Sequence, residues 1–311
     1  MRILFMGTPE FALPSLRSLI WHGHSISLVV TQPDRPRGRG RKLTPSPVKL
    51  VAEEHGIPVA QPEDVNSDDC VQTLRVQNPD TIVVVAFGQL LRQNILNLPP
   101  EGCINVHASL LPKYRGAAPI HRAIINGDNL TGVTTMHMTE GMDAGDAILR
   151  RETAILDSDT VQSLSTRLAD IGGELLSETL SMIEKGQTPR LPQDPVEVTY
   201  APKIEREDAR ITWTSPAEDV RNLVRGTNPY PGAFTHFRDS ALKVWQVEAA
   251  TPRSVHGRCG EIIDFSPAGT PVICTGNGFL LLEALQPQDR KRMTGADWVR
   301  GARVHRGDVL G

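Results

Sequence analysis

Short apolar runs alternate with amphipathic stretches over the first 150 residues, the pattern of βαβ units that build a mostly parallel sheet. Strands are predicted at residues 2–6, 25–30, 58–60, 81–87, 103–107, 132–139 and 147–155. Helices are predicted at residues 47–55, 67–76, 119–126 and 159–185, the last with a break at Gly172 and Gly173. A further helix is predicted to start with Thr8 as its N-cap and Pro9 as its first residue. The pattern predicts an α/β fold for this part of the chain.

Four prolines within residues 187–203 mark a change of pattern. Their spacing favours an extended linker, so we place a domain boundary there. Strands are predicted beyond it at residues 233–238, 242–249, 258–265, 271–275 and 279–285, and Ser215 is predicted to cap a helix over residues 216–225. We therefore expect a first domain at residues 1–186, a linker at 187–203 and a small β-barrel domain at 204–311.

The composition narrows the class of protein. The 311 residues are 39% hydrophobic and 22% charged with a formal net charge of −3, which is ordinary for a globular protein and unlike a basic nucleic-acid binder. No apolar run reaches the roughly 18–20 residues of a membrane-spanning helix, and the N-terminal apolar stretch is too short for a signal peptide. The four cysteines are scattered without a C-x-x-C pair, which disfavours disulfides and zinc. We expect a cytoplasmic protein without a membrane segment.

Residues 34–42 are the most basic stretch and read D-R-P-R-G-R-G-R-K. Gly and Pro disfavour helix and strand, so an irregular loop is predicted here, within an insertion over about residues 32–47. Its five cations are Arg35, Arg37, Arg39, Arg41 and Lys42. Taken alone, they fit either a solvated surface loop or a surface that binds nucleic-acid phosphates.

Asn105 and His107 are an anomaly in the strand predicted at residues 103–107. Residues two apart share one face of a strand, whereas a central parallel strand normally presents apolar side chains on both faces. Ligands of open α/β sheets bind at the carboxyl ends of the strands, where this pair would lie. The pair is either a hydrogen-bonded core pair or part of a functional site, and we favour the functional interpretation.

The loop that reads G-M-D-A-G-D at residues 141–146 offers two carboxylates, Asp143 and Asp146. A carboxylate against His107 would orient the imidazole and keep a proton available for a developing oxyanion, and a turn with solvated aspartates is the alternative. No serine or cysteine stands in a nucleophile-elbow context, no metal-ligand spacing is present, and Gly7 lacks the further glycines of a dinucleotide fingerprint. Covalent catalysis and metal-dependent hydrolysis are therefore disfavoured.

Several long motifs point to one family. They read N-V-H-A-S-L-L-P at 105–112, K-Y-R-G-A-A-P-I at 113–120, M-D-A-G at 142–145, M-R-I-L-F-M-G-T-P-E-F at 1–11, Q-P-D-R-P-R-G-R-G-R-K at 32–42, P-S-P-V-K at 45–49 and N-P-Y-P-G-A at 228–233. With these motifs the chain resembles folate-dependent formyltransferases over essentially its whole length, in the branch that acts on methionyl-tRNA. The resemblance implies a Rossmann-like formyltransferase domain followed by an OB-fold-like barrel. It also implies transfer of a formyl group from 10-formyltetrahydrofolate to the α-amino group of methionine on initiator methionyl-tRNA.

The resemblance further implies roles for the residues that match its motifs. Asn105 would hydrogen-bond the formyl oxygen, protonated His107 would stabilise the charge of the tetrahedral intermediate, and Asp143 would pair with His107 and relay the proton of the amine. The folate pocket would be lined by residues 138–143 and by Ser109, Leu110, Leu111, Pro112, Phe87, Gly88, Gln89 and Leu90. The five cations of the basic stretch would contact the acceptor stem of tRNA. No metal is implied, and we expect a monomer.

Other functions remain open at this point. The same chemistry could serve a sugar-nucleotide amine or glycinamide ribonucleotide, but the basic stretch and the second domain argue against the purine enzyme, which as a family is essentially the catalytic domain alone. The chain could be a tRNA-binding module whose catalytic domain has lost activity, against which the intact Asn105, His107 and Asp143 argue. A nicotinamide oxidoreductase ranks last because its glycine fingerprint is missing.

Overall fold

The structure is a computed structural model that describes residues 1–37, 42–252 and 257–311. The chain forms two compact units. Unit 1 comprises Met1–Pro119, Leu130–Ala154 and Ser165–Ala201. Unit 2 comprises Ile120–Asn129, Ile155–Leu164 and Pro202–Gly311.

The elements up to residue 184 alternate between strand and helix over most of their length. The strands are β1 (Arg2–Gly7), β2 (Ser25–Val30), β3 (Arg35–Arg37), β4 (Lys42–Thr44), β5 (Val59–Ala60), β6 (Thr81–Val85), β7 (Cys103–His107), β8 (Leu130–His137) and β9 (Ala147–Ala154). The helices are α1 (Leu13–Trp21), α2 (Pro47–Glu54), α3 (Asp68–Val76), α4 (Gln93–Leu96), α5 (Pro119–Ile125) and α6 (Val161–Glu184).

Seven of these strands form the sheet of unit 1, in the order β5-β2-β1-β6-β7-β8-β9. The pairs from β5 to β7 are parallel, and β8 runs antiparallel to both β7 and β9. The predicted mostly parallel α/β sheet is confirmed. β7 is therefore parallel to one neighbour and antiparallel to the other, which places the polar pair of this strand at the switch between the two pairing modes.

The central strands β1 and β6 are apolar and buried along almost their whole length, as is typical of parallel strands that are covered on both faces. On one face, Leu4, Met6, Ile82 and Val84 pack with Leu74 of α3 in a single buried cluster. Burial of such side chains stabilises the fold by roughly 1.5–3 kcal/mol each. β7 pairs with β6 beside this buried centre.

Unit 2 is built on an antiparallel sheet. Its strands are β10 (Phe234–Phe237), β11 (Ser240–Ala249), β12 (Ile262–Phe265), β13 (Pro271–Cys274), β14 (Phe279–Pro287) and β15 (Met293–Thr294), and its helices are α7 (Ala217–Gly226) and α8 (Gly295–Ala302). The strand order is β10-β11-β14-β13-β12, with β15 paired to β14. Val220 and Val224 of α7 and Trp298 of α8 are buried against the sheet residues Leu242 and Leu282. The predicted second domain of short strands is confirmed as a separate antiparallel sheet domain, and α8, α4 and β15 are elements that the sequence pattern did not predict.

Three predicted helix features are wrong. Thr8 does not cap a helix, because its hydroxyl donates a hydrogen bond to the Phe87 carbonyl at 2.9 Å, and a short 3-10 turn (Glu10–Ala12) precedes α1. Ser215 does not cap α7, whose N-cap position is Pro216 and has no side-chain hydrogen bond. α6 continues without a break at its two glycines, which serve close packing instead.

The stretch predicted as a linker lies against unit 1. Leu191 pairs with Ala147 through two backbone hydrogen bonds of 2.9 Å, and the Ala201 amide donates to the Arg115 carbonyl at 2.7 Å. Residues 187–201 accordingly belong to unit 1, whose last segment is Ser165–Ala201. The prolines break regular structure here, but backbone groups between them still pair with the neighbouring strand and loop.

The basic stretch is not wholly irregular. β3 and β4 pair antiparallel, with Arg35 opposite Thr44 and Arg37 opposite Lys42. Pro36 is compatible with this two-stranded ribbon because each strand has a free edge on which no amide hydrogen is needed. Gly38, Arg39, Gly40 and Arg41 lie outside the described residues.

Membrane-spanning helices and disulfide bonds are both absent from the described residues. No helix within residues 1–37, 42–252 and 257–311 is both long and apolar enough to cross a bilayer. The four cysteines are free. Burial raises the pKa of the Cys103 thiol to about 12, so this side chain behaves as a small apolar core residue.

Close packing of α6 against β7 and α1 predicts a stability effect. A Cβ atom at Gly172 would lie 2.9 Å from Val106 Cγ1, and one at Gly173 would lie 2.9 Å from the backbone of Pro14. Gly173→Val should therefore destabilise the protein by about 1–3 kcal/mol, measured as a lowered melting temperature. Gly301→Val in α8 is the matched control, since no heavy atom lies within 4 Å of that Cβ position. Equal melting temperatures for the two variants would contradict the packing argument.

Candidate active site

Asn105 and His107 lie two residues apart at the carboxyl end of β7, so their side chains leave the strand on the same face. His107 is buried and Asn105 is half-buried. The neighbouring residues Ile104 and Val106 are buried and apolar, which fixes the register of the strand. The fold therefore presents one amide and one imidazole side by side at this edge of the sheet.

Asp143 comes from the loop between β8 and β9. Its backbone is in the left-handed region, with φ of 48°, a conformation that aspartate tolerates better than most residues. Gly145 permits the return of this loop to the sheet, because a Cβ atom there would lie 1.8 Å from the His137 carbonyl oxygen. The loop geometry thus depends on a glycine at 145 and aims Asp143 toward β7.

The structure brings Asn105, His107 and Asp143 together. His107 Nδ1 lies 3.6 Å from Asp143 Oδ2, and Asn105 Nδ2 donates to Asp143 Oδ1 at 3.4 Å. The Gly116 amide donates to Asp143 Oδ2 at 2.8 Å. One carboxylate therefore contacts both polar side chains of β7 and the backbone of the loop that follows them.

The second nitrogen of His107 also faces an acceptor. Nε2 lies 3.0 Å from the carbonyl oxygen of Tyr114, which can only accept, so Nε2 carries a hydrogen in this arrangement. Nδ1 faces the Asp143 carboxylate, which is also an acceptor. Both ring nitrogens of His107 therefore face oxygen acceptors.

The turn after β7 is pinned to β8. The Thr134 hydroxyl donates to the Ser109 carbonyl at 2.7 Å and accepts from the Leu111 amide at 3.1 Å, while Ser109 Oγ donates to the Lys113 carbonyl at 2.6 Å. Ser109, Leu111 and Pro112 are buried, and Leu110 is half-buried. Among these predicted lining residues, Leu110 is the one that keeps accessible side-chain surface.

The other predicted lining segment, residues 87–90, lies partly in the core and partly at the surface. Phe87 is 2% exposed and packs in the core cluster of α3 and β6, so its side chain lies inside the domain. Gln89 is tied to residues 62–65 through three hydrogen bonds. Gly88 has φ of 94° and Leu90 is 68% exposed. Gly88 and Leu90 therefore form the accessible part of this segment.

Several residues that support the site had no signal in the sequence. Thr134, Gln193 and Thr199 each bond to a loop of the site across 23 to 85 residues of chain. Gln193 donates to the carbonyl of Asp143, and Thr199 Oγ1 accepts from the Tyr114 amide at 2.8 Å. Such contacts depend on the fold, and no local pattern announces them.

The predicted basic residues are exposed where they are described. Arg35 pairs with Glu63 at 2.8 Å, Lys42 is exposed at the start of β4, and the backbone of Arg37 lies in β3. Arg39 and Arg41 lie outside the described residues.

Cations lie over three aromatic rings in unit 2, and the shortest of these contacts joins Arg238 to Phe237, at 4.5 Å from the ring centre. Arg206 and Arg210 lie 5.5 and 5.0 Å from the ring centre of Phe234. Lys243 lies 5.2 Å and Arg292 5.9 Å from the ring centre of Trp245.

A metal centre is not evident in the described residues, where no group of three or more His, Cys, Asp or Glu side chains could hold an ion. The arrangement around Asp143 instead offers hydrogen-bond donors beside a carboxylate. Such a set can stabilise a developing oxyanion and accept a proton.

Comparison with known families covers both units. Residues 1–180 match the family described as formyl transferase, and residues 203–303 match the one described as formyl transferase, C-terminal domain. The chain is 48% identical over 311 residues to the methionyl-tRNA formyltransferase of Citrifermentans bemidjiense, an alignment that covers 100% of this chain and 96% of the relative.

Solved structures share the fold at lower identity. An N-formyltransferase from Helicobacter canadensis, in complex with folinic acid and dTDP-3-aminofucose, has a TM-score of 0.66 at 17% identity and covers 92% of this chain and 98% of its own. HypX from Aquifex aeolicus, in complex with tetrahydrofolic acid, has a TM-score of 0.63 at 20% identity over 96% of this chain and 47% of its own. Similarity at this level concerns the fold alone.

Proposed function

The chain belongs to the formyl transferase family, and we propose that it formylates the α-amino group of methionine on initiator methionyl-tRNA. The donor in this proposal is 10-formyltetrahydrofolate, and the products are N-formylmethionyl-tRNA for translation initiation and tetrahydrofolate. The observation that carries the choice of acceptor is the 48% identity to a methionyl-tRNA formyltransferase over the whole chain. A sugar-nucleotide amine is the less favoured acceptor, because the Helicobacter canadensis N-formyltransferase is only 17% identical.

The reaction is a formyl transfer between two nitrogen atoms. The lone pair of the amine attacks the formyl carbon, and the electrons of the C=O bond move to oxygen. Collapse of the tetrahedral intermediate then breaks the bond from the formyl carbon to N10 of the folate, and the proton lost by the amine ends on N10. The enzyme must therefore stabilise an oxyanion and move one proton.

Asn105 and His107 are proposed to stabilise the oxyanion. Asn105 Nδ2 makes a long contact of 3.4 Å to Asp143 Oδ1, so it can turn to the formyl oxygen at small cost. His107 Nε2 can reach the formyl oxygen by exchanging the Tyr114 carbonyl for it. Each such contact is worth roughly 3–4 kcal/mol of transition-state stabilisation, or about a hundred- to a thousandfold in rate.

Asp143 is proposed to keep His107 protonated and to take the proton of the amine, directly or through water. Oδ2 is held by the Gly116 amide and faces His107, whereas Oδ1 has the longer contact to Asn105. Oδ1 is therefore the oxygen better placed to accept a proton. In this proposal Oδ2 orients His107, and Oδ1 accepts the proton of the amine.

The folate is proposed to bind beside the turn at residues 109–112. Leu110 and Leu90 supply accessible apolar surface, and the exposed backbone of Gly88 allows close approach of a flat ring. The HypX structure contains tetrahydrofolic acid on a similar fold. Phe87, which is buried in the core, would support this pocket from behind.

The acceptor tRNA is proposed to contact the basic stretch and the second domain. Arg35, Arg37, Arg39, Arg41 and Lys42 would bind phosphates of the acceptor stem. We keep residues 1–186 as the catalytic domain and 204–311 as the tRNA-contacting domain in this proposal. A cytoplasmic monomer fits the role in translation initiation.

The first prediction concerns the oxyanion contacts. His107→Ala and Asn105→Ala should each lower kcat for transfer of labelled formyl to initiator methionyl-tRNA by about a hundredfold or more. The affinity for tetrahydrofolate, measured by calorimetry, should stay within about threefold, because neither side chain is needed to hold the pterin. A His107→Ala protein with wild-type kcat would refute the assigned mechanism.

The second prediction concerns the basic stretch. Each phosphate contact contributes close to one unit to the slope of log affinity against log salt, so Arg41→Ala with Lys42→Ala should weaken tRNA binding and flatten this slope by about one to two units. Arg75→Ala on the exposed face of α3 is the matched control and should leave the slope unchanged. An unaltered slope in the double variant would remove the stretch from the interface.

A further inference from the structure

We propose that Gln193 is a positioning residue for formyl transfer, which holds the Asp143 loop and the loop after β7 in their working arrangement. This inference rests on the proposed function and adds to it a residue from the stretch that the sequence suggested was a linker. Gln193 touches neither Asn105 nor His107 in the described contacts, so its effect would pass through the two loops.

The side-chain amide of Gln193 uses its donors and its acceptor at once. Nε2 donates to the carbonyl oxygens of Asp143 at 2.8 Å and of Gly145 at 2.7 Å. Oε1 accepts from Nε and Nη2 of Arg115 at 3.0 and 2.8 Å. A carboxamide is the side chain that presents two N–H donors and one oxygen from a single planar group. The site is matched to glutamine and not to glutamate.

The donor side of Gln193 acts on the backbone that carries the Asp143 carboxylate. Asp143 has a left-handed backbone, and Met142 and Ala144 beside it are exposed, so few packing contacts hold this part of the loop. Hydrogen bonds to the Asp143 and Gly145 carbonyls fix the peptide units that follow these two residues. The direction of the Asp143 side chain follows from that fixation.

The acceptor side of Gln193 acts on the other loop. Arg115 stands between Tyr114, whose carbonyl contacts His107, and Gly116, whose amide contacts Asp143. A shift of the Arg115 backbone would therefore change contacts to both titratable side chains of the site. Gln193 joins the two loops through a single side chain.

Gln193 is itself held from outside the site. Leu191 pairs with Ala147 of β9 through two backbone hydrogen bonds of 2.9 Å. Asp194 accepts from the Val196 amide at 2.9 Å and closes the turn that follows. Since its own backbone is anchored to the sheet on one side and to a turn on the other, the amide can serve as a fixed point for the loops.

The decisive substitution is Gln193→Glu. It keeps an acceptor for Arg115 but turns a carboxylate oxygen toward the Asp143 and Gly145 carbonyls, so the donor contacts are replaced by repulsion. We expect kcat for formyl transfer to fall about 10- to 100-fold, with KM for the tRNA and the folate within about threefold. Gln193→Ala removes the donors without introducing repulsion, so it should lower kcat less than Gln193→Glu does. Gln187→Glu, an exposed glutamine of the same stretch, is the matched control and should retain wild-type kcat.

A double-mutant cycle with Asp143→Asn separates positioning from a general structural role. If Gln193 acts through Asp143, Gln193→Glu should lower kcat less than about threefold in the Asp143→Asn background. Losses that simply multiply, a raised KM with unchanged kcat, or wild-type kcat in Gln193→Glu and Gln193→Ala would each overturn the inference. Melting temperatures identify a variant that fails to fold, and Gln193→Ala then replaces Gln193→Glu in the cycle. Lack of formyl transfer by the wild-type protein in the same assay would instead refute the proposed function.

Discussion

The carboxylate of Asp143 is the shared acceptor on which the site depends. It contacts His107 Nδ1 at 3.6 Å, accepts from Asn105 at 3.4 Å and accepts from the Gly116 amide at 2.8 Å. Asp143 thereby links the two polar side chains of β7 to the loop that follows this strand. The sheet and the loops of unit 1 place the Asp143 carboxylate at the end of β7.

The sheet explains why these residues meet. β7 pairs parallel with β6 and antiparallel with β8, so the loop after β8 begins beside the start of β7, whereas His107 ends this strand. His107 stands opposite Thr134, and Ile104 stands opposite His137. The Asp143 loop must therefore travel back along the sheet to reach His107, and Gly145 and Gln193 hold it on that path. The strand order, together with Gly145 and Gln193, therefore brings Asp143 to His107.

The sequence pattern predicted the structure correctly where apolar residues form a continuous run or alternate with polar residues along one strand. The apolar runs of β1 and β6 and the alternation in β7 predicted the centre of unit 1 and the shared face of Asn105 and His107. Thr8 was misassigned because its hydroxyl bonds to the Phe87 carbonyl, a residue 79 positions away. Gln193 went unnoticed for a similar reason, since its partner Asp143 is 50 residues distant and prolines flank its segment.

The same fold carries formyl transfer to different amines, so the choice of acceptor is the central claim to test. The most direct measurement is transfer of labelled formyl from 10-formyltetrahydrofolate by the wild-type protein to three acceptors in parallel: initiator methionyl-tRNA, elongator methionyl-tRNA and an amino-sugar nucleotide. We expect label on the initiator methionyl-tRNA and none on the sugar nucleotide. Label on the sugar nucleotide alone would contradict the proposed acceptor while leaving the chemistry around Asp143 in place.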